Sequence, residues 1–74
     1  MSLMFTKPGE VNHIKRVMGD DRTRKYLMDM GFVEGAPITV LSRVSGNLIV
    51  EIMGTRVAID RSMANRIIVG RGSL

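Results

Sequence analysis

The chain has 74 residues, no cysteine, a single histidine and a formal net charge of +4. A chain this short forms one core, burying roughly 60–65% of its unfolded surface, and its composition excludes disulfides and Cys/His zinc sites by count. No apolar run approaches the ~18 residues of a membrane-spanning helix, and Met1 to Thr6 lacks the charged-then-apolar pattern of a secretory signal, so a cytoplasmic setting is expected.

The eleven Lys and Arg residues run from Lys7 to Arg71 without a block of like charge, and the aromatics are Phe5, Tyr26 and Phe32. Few aromatics means few platforms for base stacking. The basic balance therefore reads first as a soluble surface, with a nucleic-acid-binding module as the alternative.

In chain order, Met1-Ser2-Leu3 is given no structural role, and residues 1–7 are expected to be flexible. Lys7-Pro8-Gly9 reads as a turn that launches a first strand over Glu10–Val17. Val11, Ile14 and Val17 are spaced by three, which breaks strand alternation and predicts a bulge. Asp20–Met30 reads as the one long helix. Asp20 and Asp21 stand where an N-cap and a first-turn carboxylate belong. Thr23, Leu27 and Met30 recur as a buried stripe with Tyr26 beside them, and Gly31 supplies the left-handed stop.

Gly35 is the expected turn residue of the next connection, and Pro37 can open a strand but not sit inside one. Ile38–Val44 and Leu48–Met53 form a hairpin. A two-residue Gly46-Asn47 loop would pair Val44 with Ile49 and Val40 with Met53. A three-residue Ser45–Asn47 loop pairs Val44 with Leu48, Ser42 with Val50 and Val40 with Ile52. The second register is favoured, because it gathers Ile38, Val40, Val44, Leu48, Val50 and Ile52 on one face. Gly54-Thr55 turns into a strand over Arg56–Ile59, Asp60 caps a helical turn through Ala64, and Arg66–Val69 closes the chain. Residues 70–74 are expected to fray. The fold class is mainly β: a small five-stranded barrel, with one α-helix between strands one and two and a short helical turn before the last strand.

Catalytic machinery is sparse. The carboxylates Glu10, Asp20, Asp21, Asp29, Glu34, Glu51 and Asp60 read as caps or surface charges. No nucleophile–base cluster is visible, and Gly19 to Lys25 lacks the Gly-Lys-Ser/Thr core of a phosphate loop. An enzyme is not expected, and no catalytic or cofactor-binding residue is named.

The segment Tyr26-Leu27-Met28-Asp29-Met30-Gly31-Phe32-Val33-Glu34-Gly35 resembles the signature of the FeoA family: Arg/Lys, Leu, two residues, Leu/Met-Gly-Leu/Phe, one residue, Pro-Gly. Ile38-Thr39-Val40, Gly54-Thr55-Arg56-Val57-Ala58-Ile59, Ala64 and Ile67-Ile68-Val69 fall where that family has them. The resemblance spans residues 8–69, taken as the domain. Glu34 replaces the usual Pro, which implies a less rigid turn, and the Ser45-Gly46-Asn47 loop is shorter than the family's.

The resemblance implies an SH3-like barrel, related to the C-terminal domain of iron-dependent repressors. It also implies a cytoplasmic accessory of ferrous iron transport beside FeoB, a permease with a GTPase domain; separately, a monomer or weak homo-oligomer is expected. A free-standing regulatory domain of the repressor type is a further alternative. Under this reading the partner surface is the helix flank of Arg22, Arg24 and Lys25, with the adjoining rim of Phe32 and Val33. Gly31, Gly35 and Gly54 serve as structural turns. His13 is the weak candidate ligand for Fe2+ or another transition metal, because ferrous sites favour His and carboxylates, though a solvent-facing strand histidine is the simpler reading.

Overall fold

The structure is a computed structural model and describes residues 1–72. Its five strands form one antiparallel sheet in the order β4-β3-β2-β1-β5: β1 Val11–Val17, β2 Pro37–Val44, β3 Asn47–Ile52, β4 Thr55–Ile59 and β5 Ile67–Gly70. Helix α1 (Asp21–Asp29) lies between β1 and β2, and α2 (Arg61–Arg66) precedes β5. The element order is the expected one.

The spacing by three in β1 has the predicted cause. Ile14 pairs with Val69 and Arg16 with Ile68, so Lys15 is the extra residue of a bulge. The bulge lets Ile14 point inward and Val17 turn back toward the core while Arg16 faces out.

Helix α1 starts as its sequence indicates, with the Asp20 carboxylate accepting the Thr23 amide at 2.8 Å. At the other end the Gly31 amide donates to the Met28 carbonyl at 2.9 Å, and the Phe32 amide to the Leu27 carbonyl at 3.0 Å. With Gly31 at φ +104°, this is a Schellman closure. It folds Phe32 back beneath the helix, and both Leu27 and Phe32 are fully buried. Tyr26, expected beside the buried stripe, is instead 53% exposed, because it lies on the helix side turned away from Leu27.

The hairpin register differs from both readings of the sequence. Ser45 and Gly46 alone form the loop, both at positive φ, between the paired Val44 and Asn47. Such a two-residue turn matches strand twist. The register shifts between Val40 and Ser42, after which Val40 pairs with Val50 and Ile38 with Ile52. Val40 is thus displaced by two residues from its expected partner Ile52. An even displacement keeps every side chain on its face, so Ile38, Val40, Leu48, Val50 and Ile52 are all buried. Val44 lies beyond the bulge at Leu41 and is turned outward, 55% exposed. The next hairpin is similar: Met53 and Gly54, at φ +50° and +75°, form its loop, and Thr55 already pairs with Ile52.

The N-terminal residues are structural, contrary to expectation. Leu3–Phe5 form a 3-10 turn with Leu3 buried among the core side chains. The Met1 ammonium donates to the Val69 carbonyl at 2.8 Å, the Val69 amide returns to the Met1 carbonyl at 2.7 Å, and Ser2 bridges Ile68. This lines the free side of β5, and the buried Leu3 supplies the apolar area that holds it. Gly70 belongs to β5; the expected fraying of residues 70–74 falls partly on 73–74, outside the described residues.

A groove beside the first helix

Successive residues of a helix rotate by ~100°, which divides the surface of α1. Arg24 and Met28, four apart, lie on one side of the buried Leu27. Arg22 and Tyr26 lie on the other, and Lys25 and Asp29 stand on the outward face opposite Leu27. The predicted flank is therefore not one surface.

The Arg24–Met28 side faces the end of β1 and the connection after α1. Between them is a cavity of about 260 Å³ lined by Val17, Arg24, Met28, Phe32, Val33 and Glu34. A second hollow of about 350 Å³ adjoins it, sharing Val17, Arg24 and Glu34 and adding Arg16, Met18 and Gly19. The first has an apolar floor; the second has a charged mouth.

The polar groups near the mouth are loosely committed. Arg24 pairs with Asp21 at 3.7 Å across two exposed side chains, a contact worth little in water. Arg66 lies over Gly19, where a β-carbon would come within 2.7 Å of its Nη1. Gly19 at φ +125° gives that guanidinium room. Asp20 is held below the ordinary carboxylate range, first by the Thr23 backbone hydrogen bond, then by the Thr23 side chain and the Arg66 charge.

The structure brings together only part of the predicted set. Arg24 and Val33 line the groove. Arg22 and Lys25 are exposed, Arg22 on the opposite side of α1 and Lys25 on its outward face, and neither lines the groove. Phe32 is the floor rather than a rim, since the Schellman closure buries it completely. Its burial leaves Phe5 and Tyr26 as the exposed aromatics. Val17, Met28, Glu34, Arg16 and Gly19 were missed, although the i, i+4 relation of Arg24 to Met28 was available in the sequence. Gly31, Gly35 and Gly54 all have positive φ, as turns at those positions require.

His13 sits on β1 between Pro37 and Gly70, half-buried, with its Nδ1 enclosed and lacking a hydrogen-bond partner. Among the described residues no three His, Cys, Asp or Glu side chains form a group that could hold a metal ion. Also among the described residues, no helix is long and apolar enough to cross a membrane.

Comparison with known proteins agrees with this architecture. A crystal structure of FeoA, described as an iron uptake regulatory protein, is 30% identical, with a TM-score of 0.85 and 93% of each chain covered. FeoA from Stenotrophomonas maltophilia, solved with zinc and described as a prokaryotic SH3 domain protein, is 24% identical at a TM-score of 0.82, with 95% of this chain and 89% of that one covered. A manganese-dependent transcriptional repressor is 21% identical at 0.81, over 90% of this chain but 39% of its own. These two more distant likenesses bear on the fold, which is SH3-like. No curated protein matches the chain. The model of the FeoA domain matches residues 1–71, including the N-terminal turn that packs into the core, and the chain belongs to the FeoA family.

Proposed function

We infer that this protein is a non-catalytic, cytoplasmic accessory of ferrous iron uptake that acts by contact with the GTPase domain of a FeoB-type permease. Family membership supports a role related to ferrous iron transport. The observation that carries the contact reading is the groove beside α1, an open hollow with an apolar floor and a mouth lined by Arg16, Arg24 and Glu34. Three of the seven carboxylates have structural duties: Asp20 and Asp60 cap the two helices, and Glu10 accepts from Asn12 and faces Arg71. Metal binding by this chain is weak and incidental, since one histidine and no thiolate offer too few ligands for a tight site.

The test is calorimetric binding of the full chain to the soluble GTPase domain of a FeoB-type permease, at low and physiological salt. Wild type should bind. Arg24→Glu should weaken binding, more so at low salt, because a rim charge acts chiefly through steering. Equal binding by wild type and variant would remove the groove as the docking site. Absence of binding by wild type would remove the partnership.

A further inference from the structure

We propose that the groove receives a short peptide segment of a partner protein, presenting one carboxylate to the arginines of the mouth and, a few residues away, one large apolar side chain to the floor. This deepens the contact reading given above and rests on it for the partner's identity, but not for the chemistry of the site.

Size points to a peptide anchor. At about 260 Å³ the apolar hollow is smaller than the ~300–1,000 Å³ typical of small-molecule sites. It suits one side chain inserted from a neighbouring protein, the usual form of an interface anchor. Its walls are adaptable: Met28 is 51% exposed, and an unbranched thioether repacks readily around different partners. Val17 and Val33 are half-buried on either side, and Phe32 closes the bottom.

Charge points to a carboxylate. Among the described residues the Arg16 side chain makes no hydrogen bond or ion pair, and Arg66 reaches Asp20 only at long range without forming one. Arg24 has only its exposed contact with Asp21. A guanidinium presents a planar fork that matches a carboxylate. Glu34 lines both hollows, and Asp20 and Asp21 lie close by. The charged side chains that line the two hollows are Arg16 and Arg24 against Glu34, a net of one positive charge that a single carboxylate neutralises and a phosphate dianion exceeds. A basic segment would find only Glu34 as a partner in the lining and would meet the like charge of Arg16 and Arg24.

The experiment selects binders from a phage-displayed library of random dodecapeptides on the full chain, then maps one selected peptide by amide chemical shifts. Selected sequences should carry Asp or Glu within about four residues of Leu, Met or Phe. Shifts should concentrate at Val17, Gly19, Arg24, Met28 and Val33. Affinity should fall at least about tenfold for the Arg16→Glu/Arg24→Glu variant, whose exposed positions leave the fold intact, as its own amide spectrum verifies. Failure to enrich any peptide, a consensus without an acidic residue, shifts centred elsewhere, or unchanged affinity in the variant would each overturn the proposal. Competition separates the two readings: a peptide that fills the groove while the GTPase domain fails to bind upholds this inference and removes the permease as partner. GTPase-domain binding that the peptide cannot displace, and that survives the double variant, keeps the permease as partner and removes the groove as its docking site.

Discussion

The Met53 side chain lies against Gly31, so close that a β-carbon at position 31 would sit 3.1 Å from Met53 Cγ. Gly31 therefore meets two demands at once, a left-handed backbone at φ +104° and close approach of the β3–β4 turn. Gly31→Val should destabilise the domain by roughly 1–3 kcal/mol, because a β-branched residue resists that conformation. Gly35, at φ +86° with open space around it, isolates the backbone contribution alone. Gly35→Ala should cost about 1 kcal/mol, less than Gly31→Ala. Urea denaturation of the three variants checks the order, and equal midpoints for Gly31→Val and wild type would refute it.

Leu3 is 1% exposed within the core. Leu3→Ala should cost about 2–4 kcal/mol, a large fraction of the stability of a domain this small. The measurement is the denaturation midpoint. A change of only a few tenths of a kcal/mol would mean that the N-terminal turn detaches in solution.

Asp20 gives stability a dependence on acid. Its folded pKa is lowered by the Thr23 hydrogen bonds and the Arg66 charge, so the charged form is favoured by folding. The contribution is fully present above the unfolded carboxylate value, near 4, and is lost as pH falls through the folded value. Asp20→Asn keeps a capping acceptor but cannot titrate. The gap in melting temperature between wild type and Asp20→Asn should narrow as pH is lowered from 6 toward 3. A gap independent of pH would contradict the assignment.

Ferrous or zinc affinity of the isolated chain should be no tighter than micromolar. His13 offers only Nε2 to an outside ion, since Nδ1 is enclosed, and among the described residues no three His, Cys, Asp or Glu side chains form a group that could hold one. Calorimetry that found stoichiometric submicromolar binding, abolished in His13→Ala, would overturn this.

Charge reversal on the two sides of α1 should have unequal effects on partner binding. Arg24→Glu should impair it, while Lys25→Glu, on the outward face of the helix and not lining the groove, should leave it within about twofold. The comparison holds net charge constant, so a difference reports position.

Local chemistry made much of the fold legible. Asp20, Leu27 and Gly31 mark the start, face and end of α1, and the three-residue spacing of Ile14 and Val17 betrays the bulge at Lys15. The hairpin register was not legible, because Ser45 and Met53 occupy left-handed positions that local preference assigns to Asn or Gly. The buried face survived the error only because the displacement was even. Leu3 looked idle because its neighbours, Ala64 and the strand β5, lie more than sixty residues away. The groove was half visible for the same reason. Arg24 was identified from its own helix, but Val17 and Glu34 come from different segments that only the folded chain brings to it. Phe32 was misplaced because the Schellman closure, a backbone event, decides which way its side chain turns.

The pairing of Met1 with Val69 joins residues 68 apart in sequence, and β5 also supplies the strand on the far side of β1. During synthesis β1 to β4 emerge first, yet β1 then has one unpaired edge, and the N-terminal turn lacks its contacts with α2 and β5 until those elements follow. Contacts this distant in sequence close late and slow folding. A nascent chain should therefore remain sensitive to protease near its first residues until the last strand has been delivered, and acquire resistance at both ends in a single step.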